Sequence, residues 1–144
     1  NSGKQSNSIN KEIQLQPVPP AQINSLKILV VDDDPDSQYL LKTGLKPLGK
    51  EILLASTGIE AQETFNANPD IDLILMDLRI PGIDGLELTR QIRQTNNKVI
   101  ILAQTAYAMA GDKARAIEAG CNDYISKPII KDELIRLILK YFSV

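Results

Sequence analysis

The stretch Asp72-Leu73-Ile74-Leu75-Met76-Asp77 narrows the folds open to this chain more than any other. Its apolar run is too short for a helix and is apolar at consecutive positions, the pattern of a parallel strand covered on both faces. The run stops on a carboxylate, and Pro81-Gly82 and Asp84-Gly85 punctuate the loop that follows. An acid delivered to the C-terminal end of such a strand lies in the crevice where open α/β sheets bind ligands. Alone, Asp77 reads as a residue that ends a strand and starts a turn. It becomes a candidate nucleophile if other polar groups converge on it.

They do. Lys27-Ile28-Leu29-Val30-Val31 is a β-branched run that leads directly into Asp32-Asp33-Asp34-Pro35. Asp34 before Pro35 suits a helix N-cap with proline at the first helical position. Leu41, Leu45 and Leu48 then mark one apolar face of a helix ending near Gly49, weakened by Gly44 and shortened or kinked by Pro47. A second strand is expected over Glu51–Ala55, and a helix over Gly58–Asn68 with Ala61 and Phe65 inward. Gly85–Gln94 reads as a helix with Leu88 and Ile92 on one face. Lys98–Ala103 reads as a fourth strand, followed by the polar triplet Gln104-Thr105-Ala106. A helix over Met109–Ala119 closes on Gly120. Asp123–Ser126 is a short fifth strand met at once by Lys127-Pro128. Lys131–Phe142 is the last helix, with Leu134, Ile138 and Tyr141 or Phe142 on its inner stripe.

Five strands alternating with five helices define an α/β fold with a doubly wound parallel sheet. Periodicity does not select the strand order. The common order 2-1-3-4-5 places the switch point between strands one and three, which end on Asp32, Asp33 and Asp77. Thr105 and Lys127 end the fourth and fifth strands on the same rim. Residues 1–25 are polar and carry Pro17, Pro19 and Pro20, so a flexible linker is expected ahead of one domain over 26–142.

Composition removes several classes of function. The formal net charge of −2 offers no basic field for nucleic acid, and four Tyr, two Phe and no Trp make no stacking platform. One cysteine, Cys121, excludes an internal disulfide, and the lack of histidine excludes His-based triads. Cys121 is expected to fill a small space beside Gly120. No segment reaches the length of a membrane span, so the domain is expected to be cytoplasmic.

The chemistry left to this rim is specific. Carboxylates crowded together repel, and without a cation at least one should have a raised pKa. Mg²⁺ prefers carboxylate and carbonyl oxygens and commonly shares its shell with phosphate. Asp34 fits a simple helix cap, whereas Asp32 and Asp33 leave a buried strand directly and suit a metal. Phosphoryl transfer needs an in-line nucleophile and positive groups around the equatorial oxygens. Asp77 supplies the first, and Mg²⁺ with the Lys127 ammonium the second. Thr105 adds a hydroxyl, although it reads equally as a turn or capping residue.

Val31-Asp32-Asp33, Leu75-Met76-Asp77 with Pro81-Gly82 and Asp84-Gly85, Thr105-Ala106 and Lys127-Pro128 occur in that order from Leu26 to Phe142. Together they resemble the receiver domain of two-component response regulators. The resemblance implies a flavodoxin-like sheet in the order 2-1-3-4-5 and phosphorylation of Asp77 from a partner's phosphohistidine. It implies Mg²⁺ held by Asp33, Asp77 and the Arg79 backbone carbonyl, with Asp32 acting mostly through water. Lys127 would contact the phosphoryl group, Thr105 and the Ala106 amide would follow it, and Tyr124 takes the aromatic switch position. The Lys127-Pro128 bond is expected to be cis.

Thr105–Met109 and Ala119–Pro128 are most similar to receivers attached to hybrid sensor histidine kinases. On that reading the partners are a histidine kinase or a histidine phosphotransfer protein, with a homodimer as a further option, and the parent protein is a membrane-bound sensor. A free-standing regulator is the alternative. A haloacid-dehalogenase-type phosphatase would carry an acid where this chain has Arg79, which makes it the weaker rival. A pure interaction module would not need the intact acid cluster.

Overall fold

The computed structural model describes residues 24–106 and 110–142. Five strands, β1 (Leu26–Val31), β2 (Gly49–Ala55), β3 (Leu73–Asp77), β4 (Ile100–Thr105) and β5 (Asp123–Ser126), form one sheet. Every pairing is parallel and the order is β2-β1-β3-β4-β5. The helices are α1 (Pro35–Leu45), α2 (Gly58–Ala67), α3 (Gly85–Thr95), α4 (Ala110–Ala119) and α5 (Lys131–Phe142). All but the last two residues of the expected linker over 1–25, and the expected helix start at Met109, lie outside the described residues.

Strands β1 and β3 are flanked on both edges, and every residue in them is buried. That is why their sequences are continuously apolar rather than alternating. Side chains still alternate between faces. Ile28, Val30, Leu73, Leu75 and Leu102 pack with Leu41, Leu45, Leu134 and Ile138 of α1 and α5. Leu29, Val31, Ile74, Met76, Ile101 and Ala103 pack with Phe65, Leu88, Ile92 and Ala116 of α2, α3 and α4. Cys121 is buried in this second layer, its sulfur 3.8 Å from the Thr89 hydroxyl, and fills space as expected.

Boundaries of three elements, α1, β2 and β4, differ most from the sequence reading. α1 stops at Leu45 with Lys46 as its C-cap, so Pro47 lies beyond the helix and does not kink it. β2 consequently starts at Gly49. β4 runs over Ile100–Thr105 rather than Lys98–Ala103. Gln104 pairs with Asp77, and Thr105 with Ser126. Polar side chains do not end a ladder whose backbone groups find partners on both sides. At the end of α4, Gly120 takes φ +120, a region that disfavours a Cβ. Its N–H and that of Cys121 return to the carbonyls of Ile117 and Ala116.

Candidate functional site: an acidic rim

The site is built from strand ends. Asp32 leaves β1 fully buried, its N–H donating to the Ala55 carbonyl at 3.0 Å. The Gln38 side-chain amide, one turn into α1, donates to the Asp32 carbonyl at 2.6 Å and to Ser56 Oγ at 3.0 Å. The Asp34 side chain caps α1 by accepting from the Asp36 N–H. Its own N–H donates to Asp32 Oδ1 at 2.9 Å, which orients that carboxylate. Asp77, only 4% exposed at the end of β3, accepts from the Arg79 N–H through Oδ1 at 2.8 Å.

Lys127 closes the arrangement. Its N–H donates to the Thr105 carbonyl at 2.8 Å, which docks the chain after β5 onto β4. The Lys127-Pro128 peptide bond is cis. The ammonium lies 2.9 Å from Asp77 Oδ2 and 3.1 Å from Asp32 Oδ2. Carboxylate oxygens of Asp32, Asp33 and Asp77 all lie within 4.8 Å of one another. Asp33 is exposed, so the cluster opens to solvent on one side. Ala106 is exposed, Thr105 is buried at the end of β4, and Arg79 is exposed in the loop after Asp77.

The electrostatics follow from burial. Desolvation pushes the Asp32 carboxyl above its ordinary range, and the hydrogen bonds from Asp34 and Lys127 recover only part of the shift. The charge of Asp77 is the smallest contribution, so burial rather than mutual repulsion leads. Desolvation would lower Lys127, but its hydrogen bonds to Asp77 and Asp32 outweigh that and hold it protonated. Among the described residues, the ion pairs within this cluster set three carboxylates against the single ammonium of Lys127, an excess of acid that suits a divalent cation.

Away from the acids, Tyr124 is half-buried on β5 beside Ala103. Burial, then the charge of Asp112, raises its pKa, and its sealed hydroxyl has no hydrogen-bond partner among the described residues.

Two supporting residues were not assigned a role in the sequence. Gln38 has no sequence signal beyond its place near a helix start. Gly85 reads as loop punctuation, yet a Cβ there would lie 2.7 Å from the Asp77 carbonyl oxygen and 2.8 Å from Leu78 Cα. Only glycine lets α3 begin this close to the strand that carries Asp77.

A doubly wound sheet with an acid cluster and a lysine at its switch point defines a class of phosphate- and metal-handling α/β domains. Within that class, residues 28–139 match the response regulator receiver domain, and the chain belongs to that family. It is 35% identical over 120 residues to the sensor histidine kinase GacS of Pseudomonas protegens, covering 80% of this chain and 13% of the relative. It is 34% identical over 134 residues to the signal transduction histidine-protein kinase BarA of Escherichia coli, covering 92% of this chain and 14% of the relative. The chain therefore spans about one seventh of these kinases, 13% and 14% of their lengths.

Among solved structures, it resembles the receiver domain of a Pseudomonas aeruginosa sensor histidine kinase at 36% identity and a TM-score of 0.74. That alignment covers 83% of this chain and 99% of the other, whose active site cleft coordinates a magnesium ion.

Proposed function

We propose that this receiver domain accepts a phosphoryl group on Asp77 from the phosphohistidine of a histidine kinase or histidine phosphotransfer protein, in a Mg²⁺-dependent reaction. The observation that carries the proposal is the convergence of the Asp32, Asp33 and Asp77 carboxylates with the Lys127 ammonium on one rim. The donor set is made of hard oxygens with acid charge in excess, which fits Mg²⁺. Asp33, Asp77 and the Arg79 carbonyl are the proposed ligands, with Asp32 acting through water. Bound there, the cation would neutralise charge developing on the transferred group.

The chain's own residues divide the work. An Asp77 oxygen attacks phosphorus in line as the histidine nitrogen leaves. The Arg79 N–H on Oδ1 and Lys127 on Oδ2 hold the carboxylate in one orientation beforehand. Lys127 then passes to the phosphoryl oxygens, while Thr105 and the Ala106 N–H take another. Movement of Thr105 makes room for Tyr124 and shifts the surface formed by α4, β5 and α5 between pre-existing states. We read the chain as a module of a hybrid sensor kinase that works on the cytoplasmic side, with residues 1–25 as linker and 26–142 as the receiver; its likeness to GacS and BarA supports the kinase origin. Among the described residues no helix is long and apolar enough to cross a membrane.

Acetyl phosphate with Mg²⁺ should add one acid-stable, base-labile phosphoryl group. Asp77→Asn should abolish it and keep the fold; undiminished labelling of that variant removes Asp77 from its role.

A further inference from the structure

Asp33 is the acid of the rim that the fold holds least directly. Asp32 and Asp77 are each bonded to Lys127. Asp33 is exposed, and among the described residues no hydrogen bond or ion pair reaches its carboxylate. The direction of its side chain is therefore set by the backbone on either side of it. One residue grips both sides. As α1 begins, the Gln38 N–H donates to the Asp34 carbonyl at 3.0 Å, and the Gln38 side-chain amide donates to the Asp32 carbonyl at 2.6 Å.

The side-chain bond takes the place of a ladder bond that the sheet does not supply. β1 and β2 pair as far as Val31 and Ala55, and the Asp32 N–H continues the ladder to the Ala55 carbonyl. Beyond Ala55 the chain turns into α2: the Ser56 N–H goes to Glu60 Oε1, and Thr57 caps the helix. Asp32 is fully buried, and a buried carbonyl needs a donor. Gln38 provides it. The same nitrogen lies 3.4 Å from the Ala55 carbonyl and donates to Ser56 Oγ at 3.0 Å. With two carbonyls on that side, the nitrogen of the amide, and not its oxygen, must face them.

We infer that Gln38 is a positioning residue for the cation site. It holds the peptide between Asp32 and Asp33 still, which keeps the Asp33 carboxylate within 4.8 Å of those of Asp32 and Asp77, and Ser56 holds Gln38 in turn. The inference rests on the proposed role of Asp33 as a Mg²⁺ ligand. Mg²⁺ demands near-ideal geometry, whereas Ca²⁺ accepts longer and less regular ligation. A rim with Asp33 fixed favours the smaller ion, and a rim with Asp33 loosened gives up part of that preference.

The test is a titration of the isotope-labelled full chain with Mg²⁺ and, separately, with Ca²⁺, read from amide spectra well below the melting midpoint. Gln38→Met keeps the helix preference of the side chain and removes its donor. Its Mg²⁺ affinity should fall about tenfold, as changes behind a ligand do, and its Ca²⁺ affinity should fall less. The metal-free spectrum should change chiefly over Asp32–Asp34. Ser56→Ala, at an exposed site, should weaken Mg²⁺ about threefold, the worth of one neutral hydrogen bond. The double variant should be no weaker than Gln38→Met, since Ser56 acts through Gln38. Undiminished Mg²⁺ affinity in Gln38→Met, equal losses for the two ions, or additive losses in the double variant would overturn the inference. A parent chain with no saturable Mg²⁺ response at Asp33 would overturn the metal reading, and this inference with it.

Discussion

The two ends of the sheet both carry charge, and they treat it in opposite ways. At the N-terminal rim Lys27 is paired with Asp70 at 3.0 Å and Glu51 at 3.6 Å. Asp72 there accepts from the Lys27 N–H. Arg93 spends its guanidinium on the carbonyls of Gly120, Asn96 and Val99 and on Asn122 Oδ1. Donors and acceptors match, and Lys27 draws Asp70 below its ordinary range. At the C-terminal rim burial pushes Asp32 the other way, and the acids outnumber their cation. One end spends charge on holding strands together; the other leaves acid charge in excess, as the proposed cation site requires.

The largest effect should come from the satisfied end. Arg93→Ala leaves the Gly120, Val99 and Asn122 acceptors without their shared donor, and should cost about 3–4 kcal/mol in urea unfolding. Phosphorylation of the protein that remains folded should be unchanged. A matching loss of phosphorylation would show that the two rims are not separable.

Next is Gly85→Ala. The added methyl must displace α3 from the Asp77 carbonyl, so about 1–3 kcal/mol of stability should be lost. Phosphorylation should slow as well, because the displaced strand end carries the proposed nucleophile. Unimpaired kinetics would mean that α3 does not position Asp77.

Within the acid triplet the effects should split. Asp34→Ala removes a cap worth about 0.5–2 kcal/mol, with little change in Mg²⁺-dependent phosphorylation. Asp33→Ala, in an exposed side chain, should leave stability almost untouched and weaken that phosphorylation severely. Equal losses from both would reverse the assignment.

The smallest effect is in pH dependence, measured with a chelator present. The folded value of Asp32 lies above its ordinary 3.8, so the folded state keeps this proton longer than the unfolded chain. Stability from this group is present at low pH and falls as pH rises from 3.8 through the folded value. Asp70, whose value is lowered from 3.8, contributes in reverse: its share is present above 3.8 and is lost as pH falls through the folded value. Asp32→Asn should therefore raise stability at neutral pH and flatten the decline, whereas Asp70→Asn should lower stability there. Parallel pH profiles for the two variants would remove the contrast.

The element sequence and the family were legible because both central strands are buried on two faces and their apolar runs are uninterrupted. The end of β4 was not, since Gln104 and Thr105 look like loop residues while their backbones remain paired. The acids of the rim could be read from their position at strand ends. The leading cause of the Asp32 shift could not, because depth of burial is a property of packing rather than of neighbours in sequence. Gln38 and Gly85 escaped for a related reason: each acts through a residue beyond its own helical turn, and a single residue type carries no mark of that.

The C-terminal rim, and not the N-terminal one, is proposed to keep charge in reserve for a cation. An amide-resolved Mg²⁺ titration of the full chain tests it directly. Saturable shifts are expected at Asp33 and over Asp77–Arg79, with Lys27, Asp70 and Asp72 unmoved. A response of equal size at Lys27 and Asp70, or none at Asp33 and Asp77, would contradict it.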